Sequence, residues 1–93
     1  MVCFEYVKSG GWNAERKLFL HFENAVEYAV QDMKYRYVEC LATYDEMTLK
    51  AYCINPDEID EKLEKMREYL GRGDGFSGIQ MEYYEIHELE IEE

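Results

Sequence analysis

Tyr35-Arg36-Tyr37-Val38-Glu39-Cys40-Leu41-Ala42-Thr43-Tyr44 is the stretch on which the fold turns. It is rich in aromatic and β-branched residues, which fit a pleated surface, and it reads as a strand. Just before it, residues 24–34 read as a helix. Asn24 can cap, Glu27 three residues later completes a capping-box-like pattern, and Val26, Ala29, Val30 and Met33 form an apolar stripe. Just after it, Asp45-Glu46 reads as a turn and Thr48 to Ile54 as a further strand.

Working outward, Val2 to Val7 alternates as a strand with Phe4 and Tyr6 on one face, and Ser9-Gly10-Gly11 breaks it. Trp12 to Arg16 reads as loop. Lys17 to Phe22 is a second strand, with Leu18, Leu20 and Phe22 on one face and Phe19 and His21 on the other. Asn55-Pro56 opens a second helix over 55–70, a capping residue followed by proline at the first helical position, with Glu58 as its acidic N3 partner. Ile59, Leu63, Met66 and Leu70 follow at helical spacing, and Gly71 stands where a terminating glycine belongs. After the connection Arg72 to Gly78, Ile79 to Ile91 gives a fifth strand whose phase slips between Ile86 and Leu89, as at a bulge. The expected order is β-β-α-β-β-α-β. This is an α+β fold, a mostly antiparallel sheet of about five strands with two helices packed on one face, in one domain spanning 1–93. At this length only about 60–65% of the unfolded chain's surface can be buried, so the core is thin.

The chain holds 21 Asp+Glu against 10 Lys+Arg, a formal net charge of -11, yet 47% of it is apolar and 15% aromatic. That is too hydrophobic for a disordered acidic tail. No apolar run approaches the roughly 18 residues needed to cross a bilayer, and the start shows no basic region followed by an apolar one, so neither a membrane span nor a signal peptide is expected. Direct binding to nucleic acid, or to an anionic membrane, is disfavoured by the sign of the charge. Cys3, Cys40 and Cys53 are odd in number, widely spaced and set among apolar residues in strand-like segments, which predicts buried free thiols in a reducing, cytoplasmic setting.

Few residues suggest chemistry. His21 with Glu23, and His87 with Glu85, put an acid two residues from each histidine on the same strand face. If the second and fifth strands were neighbours, the four could frame a metal, although acids are so common here that the spacing is weak. Gly71-Arg72-Gly73-Asp74-Gly75-Phe76-Ser77-Gly78 is glycine-rich but follows a helix C-terminus, the wrong pole for a phosphate, and reads as a flexible connection. Its Arg72-Gly73-Asp74 triplet matches an adhesion motif of a length that arises by chance. No nucleophile and base are paired, so no enzyme, no metal and no cofactor are expected.

The distribution of acid is more informative. Residues 1–52 carry 8 acidic and 6 basic side chains, whereas residues 53–93 carry 13 and 4. On the second helix Asp57, Asp60, Glu61, Glu64 and Glu68 fall within one arc at about 100° per residue, opposite Ile59, Leu63, Met66 and Leu70. Over roughly 16 Å of rise this gives one carboxylate per ~4 Å, close to the ~3.4 Å phosphate spacing of a DNA strand. The plain alternative is a solvated face with acids favoured near the helix N-terminus, diluted by Lys62, Lys65 and Arg67. A second cluster, Glu85, Glu88, Glu90, Glu92 and Glu93, lies on the last strand. Nine tyrosines are too many for so thin a core, and tyrosine is enriched at interfaces.

In size, charge and texture, down to the C-terminal phrase Tyr83-Tyr84-Glu85-Ile86-His87-Glu88-Leu89-Glu90-Ile91, the chain resembles small phage-encoded anti-defence proteins, particularly the anti-CRISPR proteins. The resemblance carries no diagnostic motif. It implies a stoichiometric inhibitor that binds a basic nucleic-acid-handling protein, such as a Cas effector, in the bacterial cytoplasm. Asp57, Asp60, Glu61, Glu64, Glu68, Glu85, Glu88 and Glu90 are the candidate partner-binding residues of such a nucleic-acid mimic. An immunity or antitoxin protein neutralising a basic toxin would use the same physics. A structural or adaptor domain, monomeric or homodimeric, would carry the charge for solubility alone.

Overall fold

The structure is a computed structural model and describes residues 1–10 and 14–92. Gly11 of the expected turn, Trp12 of the expected loop and Glu93 of the C-terminal acidic cluster lie outside the described residues. The elements are β1 (Val2–Ser9), β2 (Glu15–Phe19), α1 (Phe22–Thr43), α2 (Glu46–Ala51), a 3-10 turn (Pro56–Glu58), α3 (Ile59–Gly71), β3 (Phe76–Ser77), a second 3-10 turn (Ile79–Met81) and β4 (Tyr83–Glu90). The class is α+β, with a four-stranded antiparallel sheet in the order β2-β1-β4-β3.

β1 is the central strand, and its alternation sets the layers. Phe4, Tyr6 and Lys8 face α1: Phe4 stacks on Phe22 with centroids 5.4 Å apart, Tyr6 meets Tyr28 edge-on at 5.3 Å, and Lys8 reaches Asp32. Glu5 and Val7 face the other way, flanked by Leu18 and Arg16 on β2 and by His87 and Glu85 on β4. One core joins Tyr6 and Tyr84 of the sheet to Val30, Met33 and Tyr37 of α1 and Leu63, Met66 and Leu70 of α3. α1 lies on β1, β2 and β4, while α3 packs on α1 and β3. No helix among the described residues is long and apolar enough to cross a membrane.

The stretch 35–44 is helical, not a strand, and this corrects the expected topology. Its cause is the continuing stripe. Ala29, Val30, Met33, Tyr37 and Cys40 are all buried at helical spacing, and no glycine or proline interrupts the chain between Asn24 and Asn55. Buried packing of that stripe outweighs the β propensity of the individual residues. The helix also begins earlier than expected, at Phe22 with His21 as its N-cap, so the Asn24–Glu27 capping box does not form. Asp45-Glu46 is not a turn between strands but a helix start, since Asp45 Oδ1 accepts a hydrogen bond from the Thr48 N–H at 2.8 Å. The expected strand 48–54 is therefore α2 and its exit.

Smaller corrections follow the same logic. Glu15 and Arg16 belong to β2 rather than a loop, and residues 20–22 leave the strand for α1. Asn55 does cap, accepting from the Asp57 N–H at 3.0 Å, but the first turn is 3-10 and the α-helix starts at Ile59. Gly71 lies within the last turn of α3, and the left-handed glycine is Gly73. The last strand starts at Tyr83 and keeps one unbroken register with β1 to Glu90, so there is no bulge. The residues before it instead form a kinked turn in which Gln80 and Met81 adopt left-handed φ of 55° and 67°. Gly10 is fixed by this turn: with φ of 75°, any Cβ there would run into the Met81 carbonyl oxygen.

Residues 35 and 37 share a face in a strand but lie about 200° apart on a helix. Tyr37→Ala should therefore cost roughly 3–5 kcal/mol as a buried aromatic truncation, while Tyr35→Ala, at a side chain 70% exposed, should stay within about 0.5 kcal/mol. Denaturant unfolding of the two variants checks this, and equal losses would contradict the helix.

Candidate functional site

The acidic face expected on the second helix is present as geometry. Leu63, Met66 and Leu70 are buried and Ile59 is partly so, while Asp60, Glu61, Glu64 and Glu68 are exposed on the opposing arc. Asp57 is exposed too, but it stands in the 3-10 turn, where rise and rotation per residue differ, so it extends the array without continuing its spacing. The four acids of α3 itself span about 12 Å of rise.

Ion pairs divide these residues into neutralised and bare. Glu64 pairs with Arg67, whose Nε also donates to Glu27 of α1 at 2.6 Å, and Glu61 meets Lys65 at 3.7 Å. Arg67 is thus clamped between two carboxylates across the α1–α3 seam. The hydrogen bond from Arg67 holds the Glu27 carboxyl below its usual range, and Glu27 in turn raises Arg67. Among the described residues Asp57, Glu58, Asp60 and Glu68 make no ion pair. The bare charge therefore sits at the two ends of the helix more than at its middle.

The acids expected on the last strand do not join that face. Glu85 is on the outer side of the sheet, where it meets His87 at 2.9 Å. Glu88 and Glu90 lie on the alternate side, opposite Phe4 and Val2, exposed and without a cation among the described residues. α3 borders β3 and α1, so the eight candidate residues are carried on separate elements.

Two buried polar networks between the sheet and α1 were not anticipated. Lys8, only 6% exposed, and the Tyr6 hydroxyl both donate to Asp32 Oδ2, at 2.8 and 2.7 Å. Glu82, 1% exposed, accepts from Arg36 Nε at 3.1 Å and from the Tyr84 hydroxyl at 2.8 Å. Arg36 continues to Gln80, which donates to the Tyr44 hydroxyl at 3.3 Å. Burial raises the Tyr6 and Tyr84 hydroxyls well above the ordinary tyrosine range, and the carboxylates they face add to it. Tyr28 is pushed up to about 12 by its hydrogen bond to Glu15. The two networks tie the sheet to α1. A sequence signal existed, because Lys8 shares the strand parity of Phe4 and Tyr6.

The remaining candidates separate. His21 is the N-cap of α1 rather than a strand residue, β1 separates β2 from the His87-bearing β4, and no group of three or more metal-ligating side chains occurs among the described residues. Cys3 and Cys40 are buried, but Cys40 is helical, and Cys53 is exposed after α2. Cys53 borders a hollow of about 580 Å³ with Leu49, Ile54 and Pro56, and neither histidine lines it. Arg72 pairs with Asp74 at 3.2 Å and stacks over Tyr69 at 4.6 Å, so the Arg72-Gly73-Asp74 triplet closes the end of α3. Comparison with known proteins found no matching family model, no matching curated protein and no matching solved structure.

Two outcomes test the buried networks. Glu82→Ala should cost roughly 3 kcal/mol, because the largely buried Arg36 keeps only the half-exposed Glu39 carboxylate at 3.7 Å and the Tyr84 hydroxyl loses its acceptor. Folded-state values raised above the unfolded value mean that stability is intact below the ordinary tyrosine pKa of about 10 and lost as pH rises past it. Unfolding at stepped alkaline pH, with tyrosinate absorbance alongside, should show Tyr6 and Tyr84 ionising only as the fold is lost.

Proposed function

We propose that this protein acts by occupancy rather than turnover: it is a stoichiometric binder of a basic nucleic-acid-handling protein, engaged through carboxylates that stand in for phosphates. The observation that carries the reading is the set of exposed acids on the 3-10 turn and α3 that pair with no cation among the described residues, Asp57, Glu58, Asp60 and Glu68, on a chain of net charge -11. Adjacent unpaired carboxylates repel one another and oppose folding, and a cationic partner relieves both effects. The groove of a nucleic-acid enzyme, such as a Cas effector, has the required sign and shape, in keeping with the resemblance to anti-CRISPR proteins. The rigid backing of Leu63, Met66 and Leu70 against α1 holds the face in place without further ordering cost.

Binding of this kind is steered by charge and weakens as salt rises, since exposed charges beyond about 8–10 Å are screened at physiological ionic strength. Single rim acids should each matter by about 0–1 kcal/mol. The triple change Asp57→Lys, Asp60→Lys and Glu68→Lys reverses three of the four bare charges while leaving the Arg67 clamp and the buried face intact. It should abolish capture of the partner from bacterial lysate resolved by salt, and it should abolish competition with DNA or guide RNA for that partner. A folded triple variant with unchanged affinity and salt slope would reduce α3 to a solvated face.

A further inference from the structure

β4 is paired along its whole length on one side and for two residues on the other. β1 follows it from Tyr83 to Glu90, whereas β3 meets only Tyr83 and Tyr84. From Glu85 onward the second side is a sheet edge with no strand among the described residues. Two hydrogen bonds give the parity of that edge. The Glu82 carbonyl accepts from the Gly78 N–H at 2.7 Å, on the β3 side, and the Ile91 N–H donates to the Met1 carbonyl at 2.7 Å, on the β1 side. Main-chain groups alternate sides along an antiparallel strand. Ile86, Glu88 and Glu90 therefore aim their N–H and C=O groups out at the open edge.

We propose that this edge takes an added strand, an extended segment of the partner with Lys or Arg at alternate positions. This rests on the acidic-surface reading for the sign of the partner, and it assigns a mode of contact that α3 does not provide. The residues that offer the ladder also choose its occupant. Directly opposed side chains on neighbouring strands interact, so an incoming strand meets Ile86, Glu88 and Glu90 in succession, an apolar position and two bare carboxylates. Cations at alternate positions pair with Glu88 and Glu90. A second copy of this chain is disfavoured, because antiparallel pairing of two β4 edges centred on Glu88 sets glutamate against glutamate. The same charges that protect the edge from indiscriminate pairing leave it open to one sign of partner.

The test uses the whole chain with a synthetic octapeptide of alternating Lys-Val-Arg-Val, against a Lys-Pro-Arg-Pro peptide of equal charge that cannot form a ladder. Amide exchange at Ile86, Glu88 and Glu90 should slow by at least about tenfold with the first peptide and stay unchanged with the second. The double change Glu88→Lys and Glu90→Lys should weaken the first peptide by at least about tenfold. Equal binding of both peptides, or binding without slowed exchange at those amides, overturns the added strand. The two proposals fail separately. Loss of partner capture in the α3 triple variant, with β4 exchange unaffected by the partner, leaves the acidic face standing and removes the edge. Partner capture that survives the α3 changes but slows β4 exchange does the reverse.

Discussion

The buried Glu82 carboxylate is the constraint from which the rest of the structure follows. An ionised carboxylate with almost no water contact is tolerated only if paired and hydrogen-bonded, and Arg36 and Tyr84 do both. Arg36 lies one helical turn beyond Asp32, which holds Lys8. Adjacent turns of α1 thus clamp the two central strands with opposite polarity: an acid on the helix takes the cation of β1, and a cation on the helix takes the acid that leads into β4. Lys8 sits directly opposite Tyr84 in the ladder, so the two clamps also fix the register of β1 on β4. A slip of one residue would turn Lys8 to the outer face and leave Asp32 without its cation. Buried pairs are weak evidence of net stability, but their wrong pairings are costly, and that is how they select one arrangement.

This explains why the sequence misled where it did. Lys8, Arg36 and Glu82 look like ordinary surface charges in a chain with so many, and only the parity of Lys8 with Phe4 and Tyr6 hints at burial. In the stretch 35–44 residue type alone, with tyrosine, valine and threonine, points to strand. The longer-range signal was the stripe from Val26 through Met33 to Cys40 with no breaker, which only a helix can bury. Elements whose local and long-range signals agreed were legible: β1, the body of β2, α3 with the Asn55-capped 3-10 turn before it, and β4. The α3 acids were legible as an exposed arc because the apolar positions opposite them are unambiguous. Their ion pairing was not, because Arg67 reaches Glu27 across 40 residues of sequence, and no local pattern announces that contact.

The clamp at Arg67 changes how the charge can act. Arg67 offsets one of the two carboxylate charges of Glu27 and Glu64, so the middle of α3 near Glu64 carries less field than its acids alone would give. The unpaired acids around α3 are Asp57, Glu58 and Asp60 at one end and Glu68 at the other, and Glu88 and Glu90 are unpaired on β4. The helix N-terminus favours the first three, which lowers the cost of keeping them bare. The acids of β4 have no such compensation, and the strand holds them beside an unfinished ladder.

The proposed binding would link folding to partner through the same side chains. Repulsion among uncompensated carboxylates subtracts from the stability of the free domain, and it is greatest when salt is low. A partner that binds only the folded chain returns that stability by mass action, in proportion to how far its concentration exceeds the dissociation constant. A thin core can carry such a surface only if something other than apolar burial holds its layers. Here the interlayer clamps of Asp32 and Arg36 meet that need, with every buried side-chain polar atom among the described residues satisfied. Polar groups in the interior are spent on holding the sheet to α1, and the acids left outside are free to be arranged for a partner.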